Sequence, residues 1–261
     1  MWEKELEIAK KVAVKAGEAI MEIYADETKF GVEYKDDASP LTTADKKANA
    51  IIVETLRANF PDYAILSEEE KDNPLRLQND LCFVVDPLDG TKEFIKRNGQ
   101  FTVNIALAYQ HKSVMGVIYV PADGRLYYAA DGIGAFLCEN GIVKQIHVSE
   151  FAPEDKSMLR TVMSGSHGCP EMEALIEKYH LTELVRMGSS LKGCLIAEGK
   201  AEIYYRHNPT MEWDTAAMQC IVEQAGGIFR EMDGNEMRYN RSNSLNEKGF
   251  FVLNCKDNYL Q

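Results

Sequence analysis

Leu81-Cys82-Phe83-Val84-Val85-Asp86-Pro87-Leu88-Asp89-Gly90-Thr91 is the stretch on which the reading of this chain turns. Its first five residues form a continuous apolar run, the pattern of a buried strand. Two acids three residues apart follow at the strand end, where both can point into one small space. Pro87 limits backbone freedom and removes a competing N–H. Gly90 allows close backbone approach, so the N–H groups of Gly90 and Thr91 can face an anion at the start of a helix over 92–97. Carboxylates beside anion-binding amides ask for a cation between them. Hard oxygen ligands of this kind suit Mg²⁺, which takes a few carboxylates together with substrate phosphate. On spacing alone the alternative is an acidic turn that caps a helix.

Three acidic places lie outward from this stretch. Ser67-Glu68-Glu69-Glu70 follows the apolar Ala64-Ile65-Leu66, Ala44-Asp45 starts a helix, and Trp213-Asp214 opens another. A carboxylate in a first helical turn is favoured by the helix dipole. Each of the three therefore also reads as a solvated acid or a cap, and spacing does not bring them together.

Around these blocks the chain alternates. Leu6, Ala9, Ala13, Ala16, Ile20 and Tyr24 recur at helical spacing over 5–24. Residues 30–37 read as an irregular or hairpin segment broken by Gly31, and a second helix runs from near Thr43 to Asn59 and Pro61. From 101 to 148 the pattern is an antiparallel meander, with strands over 101–109 and 114–120 and turn signals at Asp123-Gly124 and Asn140-Gly141. A polar passage over 149–157 suggests a soft boundary. Residues 1–152 are then an N-terminal α+β half with the antiparallel sheet, and 153–261 a C-terminal α/β half that completes the site. In that second half strands over 161–164, 184–187, 201–205, 228–231 and 250–254 alternate with helices over 170–179, 191–198 and 213–225, the last stopped by Gly226-Gly227.

Bulk properties narrow the function classes. With 261 residues, 45% apolar and 27% charged, the chain can bury a sizeable core. No apolar run approaches the ~20 residues of a membrane span, and the start MWEKELEIAKK lacks the apolar heart of a secretory signal, so a cytoplasmic location is expected. A net charge of −12 argues against binding a nucleic-acid polymer through a basic face, though not against a small anion held by metals and a few cations. The six cysteines form no Cys-x-x-Cys pair and read as buried free thiols.

Taken together, the acidic blocks resemble the signatures of the inositol-monophosphatase superfamily of Li⁺-sensitive, Mg²⁺-dependent phosphatases. Asp86-Pro87-Leu88-Asp89-Gly90-Thr91 is similar to the first signature, and Trp213-Asp214-Thr215-Ala216-Ala217 running to Gly226-Gly227 to the second. Ser67-Glu68-Glu69 and Ser39-Pro40-Leu41-Thr42-Thr43-Ala44-Asp45 resemble the two motifs that precede them, in family order. The resemblance implies a layered α-β-α-β-α sandwich. It implies two or three Mg²⁺ ions, the first held by Glu68, Asp86 and the Leu88 carbonyl, the second by Asp86, Asp89 and Asp214, with Glu68 sharing a third and Glu69 as fallback for Glu68. Asp45 and Thr91 would orient and deprotonate the attacking water, and Lys35 would lie near the phosphate.

Within the superfamily, Lys92-Glu93-Phe94 and Gly188-Ser189-Ser190-Leu191-Lys192 resemble the bisphosphate nucleotidases. That branch implies a small phosphate monoester as partner, adenosine 3′,5′-bisphosphate, with Gly90, Thr91 and Asp214 at the scissile phosphate, Ser189, Lys192 and Arg206 around the rest of the ligand, and His167 near the nucleotide. Position 207 holds a histidine where inositol phosphatases tend to place a glutamate that accepts a substrate hydroxyl. Surface or helix-capping work is the alternative for each of these ligand contacts. Inositol monophosphatase, fructose-1,6-bisphosphatase and a metal-binding regulatory protein without turnover are the other readings. Relatives imply a monomer or a homodimer.

Overall fold

The computed structural model describes residues 1–35, 40–165 and 168–261. The helical spacing near the N-terminus becomes α1 (Glu3–Tyr24), and α2 (Thr43–Asn59) starts where Thr42 and Asp45 cap it reciprocally. Seven strands then stand side by side in chain order: β1 (Ala64–Ser67), β2 (Leu81–Asp89), β3 (Thr102–Tyr109), β4 (Lys112–Val120), β5 (Arg125–Ala130), β6 (Gly134–Glu139) and β7 (Ile142–Gln145). β1 and β2 are parallel, and the remaining neighbours form the expected antiparallel meander. The short α3 (Thr91–Ile95) follows β2. The second sheet contains β8 (Thr161–Ser164), β9 (Leu184–Met187), β10 (Ile203–Arg206), β11 (Ile228–Glu231) and β12 (Phe250–Leu253), in the order β9-β8-β10-β12-β11. Helices α4 (Pro170–Tyr179), α5 (Leu191–Ala197) and α6 (Glu212–Gln224) complete the chain.

The side-chain period of a strand is two residues, so a strand buried on both faces feeds two cores. Phe83 and Val85 of β2 pack with α1 and α2, while Cys82 and Val84 pack with α5, α6 and the second sheet. β10 repeats the device: Tyr204 joins the central core, and Ile203 and Tyr205 join Met172 of α4 on the far side. The layers therefore run α1/α2, first sheet, α5/α6, second sheet, α4, the α-β-α-β-α sandwich. Gly116 lets α6 sit unusually close to β4, since a Cβ there would lie 2.4 Å from the Ala217 carbonyl oxygen.

Several elements differ from the sequence reading. β1 was not anticipated as a strand; it is only four residues long and gains its ladder from β2. β2 does not stop at Val85 but continues to Asp89 through a break in register, with Asp86 opposite Asn104 and Asp89 opposite Thr102. Pro87 is tolerated because such a bulge leaves a residue outside the ladder. The helix expected over 92–97 closes at Ile95, and the strand expected from 201 begins at Ile203. In the irregular 30–37 segment, Glu33–Tyr34 pairs antiparallel with Pro40–Leu41; residues 36 to 39, including Ser39, lie outside the described residues. The cysteines are free thiols, but only Cys82, Cys194 and Cys220 are fully buried. Among the described residues no helix is long and apolar enough to cross a membrane.

Candidate active site

The register break in β2 decides where the acids go. In an unbroken strand Asp86 and Asp89, three residues apart, would face opposite sides of the sheet. Three steps along β2 span only two along β3, so one extra residue is absorbed between them and Asp89 is re-aimed to the side that Asp86 already faces. That side is the one covered by α5 and α6. Asp214, in the first turn of α6, meets them there: carboxylate oxygens of Asp86, Asp89 and Asp214 all lie within 4.8 Å of one another. Two more elements end at the same place. β1 runs parallel to β2 and delivers Ser67-Glu68, and α2 delivers Asp45.

Each acid is fixed by its own donors. Asp86 Oδ1 accepts from the Leu88 N–H at 3.0 Å. Asp214 Oδ2 accepts from the Met211 N–H at 2.7 Å. Asp89 Oδ2 accepts from the Ser190 N–H at 2.6 Å, the Ser190 hydroxyl at 2.7 Å and Asn104 Nδ2 at 3.1 Å. Asp45 Oδ2 accepts from the Thr42 N–H at 2.7 Å, and its Oδ1 from the Thr91 hydroxyl at 3.1 Å. Thr91 Oγ1 also lies 3.3 Å from the Leu88 carbonyl oxygen.

The electrostatics are those of crowded anions. Burial first, then the charges of Glu68, Asp89 and Asp214, push the Asp86 carboxyl well above its usual range. Burial and the Asp89 charge raise Asp214 to about 7. Burial raises Asp45 as well, against the opposing hydrogen bonds from Thr42. Among the described residues none of the three clustered acids forms an ion pair. Oxygen-only donors, short mutual distances and the lack of a direct ion pair among the described residues together fit a hard divalent cation.

A cleft of about 370 Å³ opens beside this cluster, lined by Glu68, Asp89, Gly90, Thr91 and Asp214 on one side and Ser189, Lys192 and Arg206 on the other. Lys192 is almost fully buried; its ammonium is held by the Ser189 carbonyl and lies 5.6 Å from the centre of the Tyr204 ring. Burial lowers its pKa, opposed by the charge of Asp89. Arg206 is half-buried at the end of β10, with its Nε donating to the Asn208 carbonyl at 3.3 Å.

Of the residues singled out in the sequence, Asp45, Glu68, Asp86, Leu88, Asp89, Gly90, Thr91 and Asp214 are thus gathered at one end of the first sheet, and Ser189, Lys192 and Arg206 face them. Lys35 reaches the edge of this group: its Nζ donates to Glu68 at 2.8 Å and Glu69 at 2.7 Å, and the side chain of Glu69 is largely buried under that pair. His167 lies outside the described residues. His207 lines a smaller neighbouring cavity of about 170 Å³ together with Met163, Met172 and Tyr205, and its buried Nε2 has no hydrogen-bond partner among the described residues. Sequence reasoning missed Asn104 and the part played by Ser190. A lone asparagine inside the apolar run 101–109 was the available signal, since a polar group in a strand buried on both faces needs a partner.

Comparison with known proteins agrees with this architecture. The model of the inositol monophosphatase family matches residues 1–255. A 3′(2′),5′-bisphosphate nucleotidase CysQ of Salmonella typhimurium is 42% identical over 248 residues, covering 95% of this chain and 98% of that relative. The Escherichia coli K12 protein of the same name is 40% identical over 243 residues, covering 93% and 96%. Among solved structures, CysQ of Bacteroides thetaiotaomicron superposes with a TM-score of 0.84 at 41% identity, covering 97% of each chain. An IMPase of Thermotoga maritima superposes with a TM-score of 0.80 at 27% identity, covering 96% of this chain and 92% of its own. The chain belongs to the inositol monophosphatase family and is a phosphatase.

Proposed function

We propose that this member of the inositol monophosphatase family is a Mg²⁺-dependent 3′(2′),5′-bisphosphate nucleotidase that hydrolyses adenosine 3′,5′-bisphosphate to AMP and phosphate. The convergence of Asp86, Asp89 and Asp214 beside the Asp45–Thr91 hydrogen bond, in a cleft faced by Lys192 and Arg206, carries the reading. The names of the relatives at 40–42% identity support the nucleotidase branch.

Asp86, Asp89, Asp214, Glu68 and the Leu88 carbonyl would hold the metal, in two or three sites. Bound there, Mg²⁺ supplies positive charge to the phosphoryl oxygens and lowers the pKa of nearby water. Thr91 lines the cleft and donates to Asp45, so its oxygen can take a proton from the attacking water as it passes its own to Asp45. Burial makes Asp45 a better proton acceptor than a solvated aspartate. The water oxygen forms the new P–O bond as the bond from phosphorus to the ribose 3′ oxygen breaks, and that oxygen is protonated from solvent. Gly90 and Thr91 are assigned to the scissile phosphoryl group. Ser189, Lys192 and Arg206 are assigned to the 5′-phosphate, as charge-assisted donors. Lys35 is assigned to balancing Glu68 and Glu69.

Phosphate release by the purified chain tests the reading, with adenosine 3′,5′-bisphosphate, inositol 1-phosphate and fructose 1,6-bisphosphate compared with and without Mg²⁺. The expected result is Mg²⁺-dependent turnover with the bisphosphorylated nucleoside favoured in kcat/KM. A preference for inositol 1-phosphate overturns the nucleotidase assignment, and turnover indifferent to chelator overturns the metal assignment.

A further inference from the structure

Ser190 and Asn104 take no part in the hydrolysis as described, yet each is 1% exposed and both touch Asp89. We propose that they are positioning residues, which grip the Asp89 carboxylate by one oxygen and leave the other free for the metal. The inference rests on the reading of Asp89 as a metal ligand.

The grip is one-sided. The Ser190 N–H at 2.6 Å, its hydroxyl at 2.7 Å, Asn104 Nδ2 at 3.1 Å and the Thr102 hydroxyl at 3.4 Å all meet Oδ2; among the described residues no donor meets Oδ1. The donors also bind each other, since Asn104 Nδ2 donates to Ser190 Oγ at 2.9 Å. Ser190 Oγ also lies 3.1 Å from the Asp214 carbonyl oxygen, at the start of α6. Two features show that this arrangement is held against local preference. Ser189 turns through φ +45°, a left-handed backbone that a non-glycine residue adopts only when its surroundings impose it, immediately before Ser190 presents both donors. Asn104 points its amide nitrogen at the carboxylate, and its own buried Oδ1 has no partner among the described residues. An acceptor orphaned in this way requires an explanation, and the two donations from Nδ2, to Asp89 Oδ2 and to Ser190 Oγ, supply one. Groups that orient metal ligands from behind govern affinity as well as geometry.

Calorimetric titration of the full chain with Mg²⁺ tests the proposal. Loss of such an orienting partner typically costs ~10–100-fold in metal affinity, and Ser190→Ala is expected to raise the Mg²⁺ Kd by that factor. Asn104→Ala should raise it in the same direction, by less. Melting of both variants in chelator reports folding separately; a merely structural role would lower Tm there and leave the Kd of the folded protein unchanged. A Ser190→Ala Kd within twofold of wild type overturns the proposal. Should Ser190→Ala fail to fold, Asn104→Ala decides by the same twofold limit. Wild-type protein that binds no Mg²⁺ overturns the metal reading of Asp89 and the inference with it, an outcome distinct from wild-type binding that the variants leave intact.

Discussion

The starts of α2 and α6 use the same device and put it to different ends. Each helix carries an aspartate at its third position, Asp45 or Asp214, whose Oδ2 accepts the backbone N–H of the preceding cap residue at 2.7 Å. Locally the two are interchangeable caps. The cap residues differ, however: Thr42 adds a hydroxyl to Asp45 Oδ2, and Met211 has none to give. The far oxygens differ more. Asp45 Oδ1 is occupied by the Thr91 hydroxyl, whereas Asp214 looks across at two further carboxylates. Under the proposed function, the acid whose two oxygens both accept hydrogen bonds is assigned to proton exchange, and the acid crowded by other acids to holding a cation. The division of labour comes from what stands opposite each helix, not from the helix itself.

Exchanging charge for shape at each start breaks or confirms this division. Asp214→Asn keeps the cap geometry and removes a metal charge. It is expected to weaken Mg²⁺ binding and to lower kcat/KM by roughly 10²–10³, the usual worth of one transition-state electrostatic partner. Steady-state phosphate release at near wild-type rate would show that α6 supplies only a cap. On the other side, Thr91→Ala should reduce kcat by about 10², within the range of acid–base assistance, while calorimetry finds the Mg²⁺ Kd unchanged. A rise in Kd equal to the loss in kcat would move the Asp45–Thr91 pair into the metal set and erase the contrast.

Some parts of this arrangement were easier to see in the sequence than others. Val84-Val85 followed by two acids, and Leu6-Ala9-Ala13 at helical spacing, carry their burial in their periodicity, so strand β2 and helix α1 were legible. The four acidic blocks were legible as blocks. Their meeting was implied by the family resemblance and not by spacing, because it depends on a one-residue bulge whose register no local propensity encodes, and on Ser190 reaching Asp89 across 101 positions of chain. Lys35 was singled out through the resemblance, as a lysine near the phosphate, and spacing did not show that the fold brings Glu68 and Glu69 within 2.8 Å of its Nζ.

Neither helix start distinguishes one phosphate ester from another, so under the proposed function discrimination falls to Ser189, Lys192 and Arg206. Lys192→Ala should lower kcat/KM for adenosine 3′,5′-bisphosphate by about tenfold, since a charge-assisted hydrogen bond is worth ~1.5–3 kcal/mol and 1.4 kcal/mol is a factor of ten. For 3′-AMP, which lacks the 5′-phosphate, the loss should be much smaller. Equal losses on both substrates would assign Lys192 to the metal side of the cleft, where its charge acts on Asp89 and Asp214.

The smallest expected effect is on stability, and it separates the acid cluster from the rest of the molecule by pH. Without metal, burial and mutual repulsion hold Asp214 near 7 and Asp86 well above its ordinary value. The Glu69 carboxyl, buried under Lys35, is likewise raised to about 7. In the unfolded chain these groups titrate near 4. Between about pH 4 and pH 7 the folded state therefore binds more protons than the unfolded state, and stability falls as pH rises through that interval. His207 opposes the trend, because burial lowers its pKa and its neutral form favours folding as pH rises. One histidine against several carboxylates leaves the sign unchanged. In chelator, Tm should drop by a few degrees between pH 5 and pH 7.5, on the scale of roughly 2–4 °C per kcal/mol for a chain of this size. Saturating Mg²⁺ should flatten or reverse that slope, because its ligands must be deprotonated to bind it. Parallel Tm–pH curves with and without Mg²⁺ would mean that the three aspartates do not meet the ion, and Asp214 would then be the same kind of cap as Asp45.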